Sequence, residues 1–343
     1  MRNIFNVAVL TIFMVVALSC ERRPLIDPDH SAVVRVHIHT DGISNVTKDI
    51  YNEKIPRPKM SSDVMRVLFY DQSGQYRLSE GFLYNKSEDE NGNEMFSGDV
   101  LLSPGRFRIL AFNFDMPTTQ IKGLGSWQTA TAYTDEISDV QKSALALRGD
   151  SQDAIYYEPD HLLVGSDTDL NIASHLGTTY IDLDARTLID TYYIQIRVKN
   201  LNYASSINAV LTGLSASNSF ADNIRNEEYS SGIYIRLHKS TDERIEDENK
   251  DVVCAVFNTF GRIDDVPSDL KVRFTATSYD GETIEKEVDM TPVFNTADAR
   301  ERHWLLIDEV WELPKPIDDP SSGGGWEPVV DDWENVTEVL PIK

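Results

Sequence analysis

Long apolar runs are nearly missing from this 343-residue chain; the longest, residues 7–18, has twelve positions. A helix needs roughly 18 to 20 apolar residues to cross a bilayer, so no span is expected from it. Cysteine is equally scarce: Cys20 and Cys254 are the only two, which excludes the disulfide framework of a small secreted scaffold. Positive charge is in short supply as well, with 32 Lys and Arg against 56 Asp and Glu and a net charge of −24. A surface of that sign repels phosphate backbones and anionic headgroups. Nucleic acid is therefore not an expected partner, nor is a membrane gripped by basic residues.

Catalytic and cofactor motifs are missing too. Gly123-Leu124-Gly125-Ser126-Trp127 lacks the glycine two positions after the serine that a hydrolase elbow needs. The glycines at 323–325 follow no strand and open no helix, so they read as loop rather than phosphate cradle. His37 and His39 share a strand face and would suit a metal, but no third ligand accompanies them, and a solvated face is expected. Asp167-Thr168-Asp169-Leu170-Asn171 begins like a calcium loop, then places Ile172 where glycine belongs and Thr178 where the bidentate carboxylate belongs. The acidic runs at 88–94 and 241–251 read as solvated loops, with a weakly held calcium ion as the alternative for either. No acid, base and nucleophile can be assembled, so the expectation is a non-enzyme with no cofactor and no metal site.

What is present begins at the amino end. Arg2, the apolar stretch 7–18 and the small residues before Cys20 form a secretory signal with a processing site. Ala17-Leu18-Ser19-Cys20 resembles the lipobox of bacterial lipoproteins, which implies that Cys20 is acylated and becomes the new amino terminus; an ordinary cleaved signal is the alternative. Removing residues 1–19 leaves 324 residues (343 less 19), enough for two domains with their own cores. It also removes Arg2 and takes the charge balance from −24 to −25. At about 0.8 kcal/mol per buried methylene, one acyl chain holds a protein marginally and two or more hold it durably. Attachment of this acidic chain to a membrane is accordingly assigned to lipid on Cys20. Cys254, inside the apolar run Val252-Val253-Cys254-Ala255-Val256-Phe257, is expected to be buried and inert.

Residues 21–31 are polar, carry Pro24 and Pro28, and read as a tether. Beyond them, period-two alternation predicts strands at 32–40, 64–70, 75–84, 95–102 and 106–114, with a long irregular connection at 41–62. Turn chemistry at Ser73-Gly74 and Ser103-Pro104-Gly105 separates them. One amphipathic helix is predicted over 135–147, capped by Thr134 or Asp135, with Ile137, Val140, Ala144 and Leu147 on one face. A strand broken by Pro159 follows at 155–164, and the polar residues 165–177 are placed as a seam. Alternation restarts in 192–199, 233–238 and 270–277, and Asp280-Gly281 marks a hairpin into a strand at 283–290. Residues 304–313 close the second unit. Short strands with one clear helix argue for antiparallel sandwiches, a first domain over 32–170 and a second over 176–313.

The tail differs again. Pro314, Pro316 and Pro320 stiffen a spacer, residues 321–325 are a hinge, and residues 326–342 read as one more strand carrying Trp326, Trp333, Val336, Val339 and Leu340. This segment is a candidate partner strand: it pairs with its own domain, the preferred reading, or with another chain by strand addition.

Several stretches taken together resemble the fimbrillin-type lipoproteins of Bacteroidota, in particular the anchor and minor-subunit branch of the type V pilus family. They are Ser19-Cys20; the run from Leu101 through Ser103-Pro104-Gly105 to Asn113; Glu158-Pro159-Asp160-His161-Leu162-Leu163-Val164-Gly165; Leu211-Thr212-Gly213-Leu214; Asn258-Thr259-Phe260-Gly261; and Gly325-Trp326 through Asp331-Asp332-Trp333. The resemblance implies an all-β chain of two tandem transthyretin-like antiparallel β-sandwiches with one or two short helices. It also implies lipid-anchored display at the outer membrane, with surface exposure expected ahead of the periplasmic face. The implied role is to hold or limit a fimbrial polymer, with a shaft subunit or other cell-surface protein as partner. Shaft subunits of that family are cut after an arginine beyond their first strand. Here the only arginine between the first two predicted strands is Arg57, and Pro58 follows it, a poor bond for a trypsin-like protease. The alternative class is a glycan-binding surface lipoprotein of a polysaccharide-uptake system, for which Trp127, Tyr156 and Tyr157 are the clustered aromatics.

Overall fold

The structure is a computed structural model that describes residues 31–39, 55–56, 62–114, 116–144, 154–173, 178–219, 221–226, 231–263 and 270–315. In chain order the strands of the first part are β1 (Ser31–His39), β2 (Met65–Asp71), β3 (Arg77–Leu83), β4 (Asn85–Glu88), β5 (Glu94–Leu101), β6 (Gly105–Asn113), β7 (Gln120–Lys122), β8 (Thr131–Tyr133), β9 (Ile155–Tyr156), β10 (Leu163–Ile172) and β11 (Thr179–Thr187). There follow β12 (Asp190–Lys199), β13 (Ala204–Leu214), β14 (Ser217–Ser219), β15 (Ile224–Arg225), β16 (Ser231–Arg236), β17 (His238–Thr241), β18 (Asp251–Thr259), β19 (Lys271–Ser278), β20 (Thr283–Asp289) and β21 (Trp304–Glu312). Three short α-helices, α1 (Asp139–Ala144), α2 (Thr291–Phe294) and α3 (Ala297–Arg302), and single 3-10 turns at Trp127–Thr129 and Leu201–Tyr203 complete the described elements. The protein is all-β, as the strand spacing predicts.

Eight strands form the first sheet, in the order β3-β2-β6-β10-β11-β1-β5-β4. Alternation puts Val34 and Val36 of β1, Val67 and Phe69 of β2, Ile109 and Ala111 of β6, and Ile181 and Leu183 of β11 on its concave side, where they share one core. The sheet curls until β3 meets β5, and two glycines permit the closure. A Cβ on Gly98 would stand 3.2 Å from the Phe82 carbonyl oxygen, and one on Gly81 would stand 2.8 Å from Val100 Cγ2. The second unit is a two-sheet sandwich, β17-β18-β12-β21 facing β20-β19-β13-β16-β9 across a larger core that includes Ile194, Ile196, Phe257, Val272, Phe274 and Leu305. The predicted Asp280-Gly281 hairpin joins β19 to β20, with Gly281 at φ +86° as the turn demands.

Most pairings are antiparallel, but three are parallel, and two of these follow a pattern. β1 runs parallel to β11, and β12 runs parallel to β21. In each unit, then, the first strand lies beside the last. Parallel neighbours need a long crossover, and the intervening strands of each unit supply it.

The sequence places a seam at 165–177, but residues 163–172 are strand β10, paired to β6 with a bulge between Asp167 and Leu170. β11, which the predicted second domain over 176–313 would include, is hydrogen-bonded to β1 and β10 in the first sheet. The predicted helix at 135–147 is shorter: Thr134 Oγ1 donates to the Tyr157 carbonyl and Ile137 N–H to the Ile155 carbonyl, so this stretch is tied to β9. Ser138 caps α1 instead, accepting from the Gln141 N–H at 3.3 Å.

The two cores are joined by a third. Leu68, Tyr70, Leu110 and Phe112, on the convex side of β2 and β6, pack with Trp127, Ala130 and Ala132 and with Ile189, Ala221 and Phe260 from beyond β11. Trp127 Nε1 donates to Asp222 Oδ1 at 3.0 Å, and its ring meets Tyr70 edge-on at 5.9 Å. A small sheet, β15-β14-β8-β7, and the β9–β16 pair carry backbone bonds across the same junction. A further cluster lies on the outer side of β12 and β18, where Ile55 covers Tyr193, Cys254, Val256 and Trp304.

Candidate functional site

The first place where the fold does something specific is the seat of β1. Ala32, Val34 and Val36 are buried to within 1% of full burial, and the strand is paired along both edges, Val34 opposite Ile181 of β11 and opposite Gly98 of β5. On the outer side Arg35 pairs with Asp182 at 2.9 Å, and His37 lies 3.3 Å from Asp89 and 3.4 Å from Asp182. Asp89 also accepts the backbone N–H of Asn93 and the Asn93 side-chain amide, and these bonds hold its carboxyl down to about 2. His37 is thus half-buried between carboxylates rather than on an open face. Among the described residues no group of three or more His, Cys, Asp and Glu side chains could hold a metal ion. The His39 side chain lies outside the described residues.

The second is the junction between the units, built on Glu158-Pro159-Asp160-His161. This segment is gripped from both sides. Asn113 of β6 donates its amide to the His161 carbonyl at 2.8 Å and accepts the Leu163 N–H at 2.7 Å. Asn258 of β18 donates its N–H to Glu158 Oε1 at 2.7 Å and its amide to the Pro159 carbonyl at 3.1 Å. Asp160 Oδ2 takes the N–H groups of Thr118 and Thr119 at 2.6 and 2.7 Å. Beside the segment lies a cavity of about 310 Å³ lined by Thr118, Tyr157, Glu158, His161, Tyr234 and Arg236 among others. Burial pushes the Glu158 carboxyl up from 4.5 to about 7, with the neighbouring Asp160 charge adding to the rise and the Asn258 N–H opposing it. Burial alone pulls His161 down from 6.5 to about 4, so its imidazole is neutral at physiological pH. His161 is 4% exposed, and neither ring nitrogen has a hydrogen-bond partner.

The third is an apolar surface around β3. Tyr84, Leu78 and Phe114 are each about half exposed or more. Phe82 stacks on Tyr84 at 6.2 Å and packs against Phe114 at 5.6 Å, with the Arg66 guanidinium over both Phe82 and Phe114. Exposed apolar groups gathered in this way mark contact surfaces in soluble proteins.

The aromatics singled out from the sequence do not form a platform. Trp127 is 1% exposed, Tyr156 lies on β9, and Tyr157 gives its hydroxyl proton to Gln141 Oε1 at 2.6 Å. Cys254 is buried, and burial pushes its thiol up to about 11, in keeping with an inert residue. Cys20, Trp326, Trp333, Val336, Val339 and Leu340 lie outside the described residues. No helix of the described residues is long and apolar enough to cross a membrane. The sequence showed Glu158 to His161 only as a motif. Its one chemical signal is a charged stretch beside a proline, immediately before the apolar Leu162-Leu163-Val164.

These features define a multi-sheet β protein whose two units each begin and end on paired parallel strands and share a polar junction. The chain belongs to the family described as "Domain of unknown function (DUF5119)", whose model matches residues 19–233. It is similar to the "Putative fimbrium anchoring subunit Fim4B" of Bacteroides ovatus, 22% identical over 216 residues, which are 63% of this chain and 56% of that relative. This chain therefore matches little more than half the relative's length. Among solved structures it is similar to one described as "a putative adhesin from Bacteroides ovatus", with a TM-score of 0.56 and 18% identity, covering 88% of this chain and 99% of that one. A looser likeness, with a TM-score of 0.46 and 13% identity over 80% of this chain and 88% of the other, is to the fimbrial anchor protein Mfa2 from Porphyromonas gingivalis.

Proposed function

We propose that this is a non-catalytic cell-envelope protein that serves as an anchor or accessory subunit of a fimbria, in assembly and adhesion. Acyl chains on Cys20 hold it in the outer membrane, with the body of the chain facing the cell surface. The observation that carries the reading is the seat of β1. A subunit that must accept a neighbour's strand in place of its own has to vacate that seat, whereas here the first strand is an inner strand of the sheet, paired on both edges, and its apolar side chains lie in the core. Such a subunit ends a polymer instead of extending it. The matched fimbrium-anchoring relative is consistent with that role.

The functional units on this reading are the curled eight-stranded sheet, whose last strand is β11, and the two-sheet sandwich that opens with β12, because each is closed by its own parallel pair. The tail beyond residue 325 adds a strand to its own domain.

Two measurements on whole cells test the proposal. Cys20→Ser should release the protein from membranes, since a processed chain of −25 (31 less 56) is repelled by anionic headgroups. A Cys20→Ser protein whose signal is cleaved but which stays in the membrane pellet after a high-salt wash contradicts lipid anchoring. The wild-type protein should co-purify with a polymer of a second, shaft-type subunit. Retention on polysaccharides with no such polymer contradicts the fimbrial reading and favours the glycan-uptake class.

A further inference from the structure

A second cavity, of about 340 Å³, opens where the chain leaves β16 in one sheet of the second unit and enters β17 in the other, against the start of β13. Its lining carries Arg236, His238 and Lys239 and, among the described residues, no Asp or Glu, although acids outnumber Lys and Arg by 56 to 32 over the chain. Arg236 is exposed and makes no ion pair or hydrogen bond among the described residues. The acids of the junction are engaged elsewhere, Glu158 by the Asn258 N–H and Asp160 by those of Thr118 and Thr119. Lys239 donates to the Ala204 carbonyl, and burial pulls its ammonium pKa down. Burial and then the Arg236 charge pull His238 below 6.5, so its ring is neutral at physiological pH. An anion in the cleft would oppose both shifts. Asn208 is 8% exposed and accepts the Tyr234 hydroxyl on Oδ1 at 2.8 Å. Its amide nitrogen has no partner among the described residues and, unlike the ring nitrogens of His161, is not sealed in the interior.

These groups select the ligand by charge and shape. A metal cation would meet like charge. A phosphate dianion wants more than one free cation, and here Lys239 is already bonded and His238 neutral. A carboxylate brings one negative charge on two coplanar oxygens, the match for the fork of a single guanidinium, and the Asn208 amide is a further donor. The surroundings favour a sugar as its carrier. Ser206 is exposed and shares a face of β13 with Asn208, and Tyr279 is 60% exposed with its ring centroid 5.9 Å from Lys239 Nζ. Hydroxyl and amide groups meet sugar hydroxyls, and an exposed ring meets the apolar face of a pyranose. We propose that this cleft binds one uronate residue of an acidic polysaccharide, its carboxylate on the Arg236 guanidinium and the Asn208 amide and its ring beside Tyr279. Binding there needs neither lipid on Cys20 nor a shaft subunit.

Calorimetric titration of the full chain at low salt and neutral pH tests this. The ligands are the methyl glycosides of glucuronate and galacturonate, with those of glucose and galactose as uncharged counterparts and N-acetylglycine as a carboxylate without a sugar. At least one uronide should bind saturably, about tenfold or more tighter than its uncharged counterpart, the worth of a charge-assisted pair, and tighter than N-acetylglycine. Arg236→Gln should weaken that binding by about tenfold, with the melting temperature unchanged because the side chain ties down nothing else. Tyr279→Ala should weaken it by about threefold. The absence of saturable binding by either uronide overturns the proposal, as does equal affinity for the uncharged glycosides or binding indifferent to Arg236→Gln. N-acetylglycine bound as tightly as the uronides also overturns it and makes the cleft a site for the carboxyl end of a peptide. Co-purification with a shaft-type polymer is a separate readout, so failure of this site leaves the fimbrial reading standing.

Discussion

Replacing Glu158 with glutamine should turn a pH-neutral junction into an acid-labile one. Burial raises the Glu158 carboxyl from 4.5 to about 7 and lowers His161 from 6.5 to about 4. At about 1.36 kcal/mol per pKa unit, each shift corresponds to about 3 kcal/mol of stability. The two have opposite slopes. A raised acid pKa means that the folded state holds the proton more tightly than the unfolded chain, so the Glu158 contribution is best below its unfolded value of 4.5 and declines as pH rises to about 7. A depressed His pKa means that the folded state resists protonation, so the His161 contribution is intact above 6.5 and is lost as pH falls to about 4. Between those limits the slopes nearly cancel. Glutamine keeps an acceptor for the Asn258 N–H and removes only the titration. The other ionisable groups of the cavity, Tyr157, Asp160, Tyr234 and Arg236, are common to both proteins. Urea unfolding at about pH 5 and pH 7.5, followed by tryptophan fluorescence, should show Glu158→Gln more stable than wild type at the higher pH, by up to about 3 kcal/mol, and losing that margin at the lower. Midpoints that move in parallel for the two proteins would refute the argument.

Three other outcomes are expected. Gly98→Val should cost about 1 to 3 kcal/mol by urea unfolding, because its Cβ meets Leu83 Cδ2 at 3.0 Å and the Phe82 carbonyl at 3.2 Å; Gly125→Ala, with nothing within 4 Å, should stay within about 0.5 kcal/mol of wild type. Trp127→Ala should cost about 3 to 5 kcal/mol and lower the thermal transition of both units together, since that ring packs on the first sheet while its N–H reaches Asp222. Deleting residues 326–343 should cost the second unit several kcal/mol if the tail is its own strand; a truncated protein with an unchanged melting temperature that no longer enters fimbriae would make the tail a connector.

Alternation made much of the fold legible. In β1 and β19 one side faces a core, and the sequence shows the period. It failed where both sides are covered. β18 is buried at eight of its nine positions, so Asp251 to Thr259 reads as a featureless apolar run. It failed equally where a strand is held by its backbone with polar side chains outward: Ser166, Asp167, Thr168 and Asp169 of β10 are exposed, and hydropathy alone reads them as linker. The boundary between units was misplaced for the same reason, as β11 alternates cleanly but pairs with β1, nearly 150 residues away in sequence. At the junction, Glu158 and His161 were visible as a motif. Their burial was not, because Tyr234 and Asn258 reach them from about 75 to 100 residues further along the chain. The exposed aromatics around β3 escaped notice because Phe82 and Tyr84 sit inside an ordinary alternating strand.

The central claim is that the chain keeps its own first strand while lipid holds its amino end. Mass and amino-terminal analysis of the protein extracted from the envelope of the native cell reads both at once. The account predicts a blocked terminus at an acylated Cys20 with β1 still attached to the rest of the chain. A free terminus at Pro58 or beyond, with residues 20–57 absent, would contradict it.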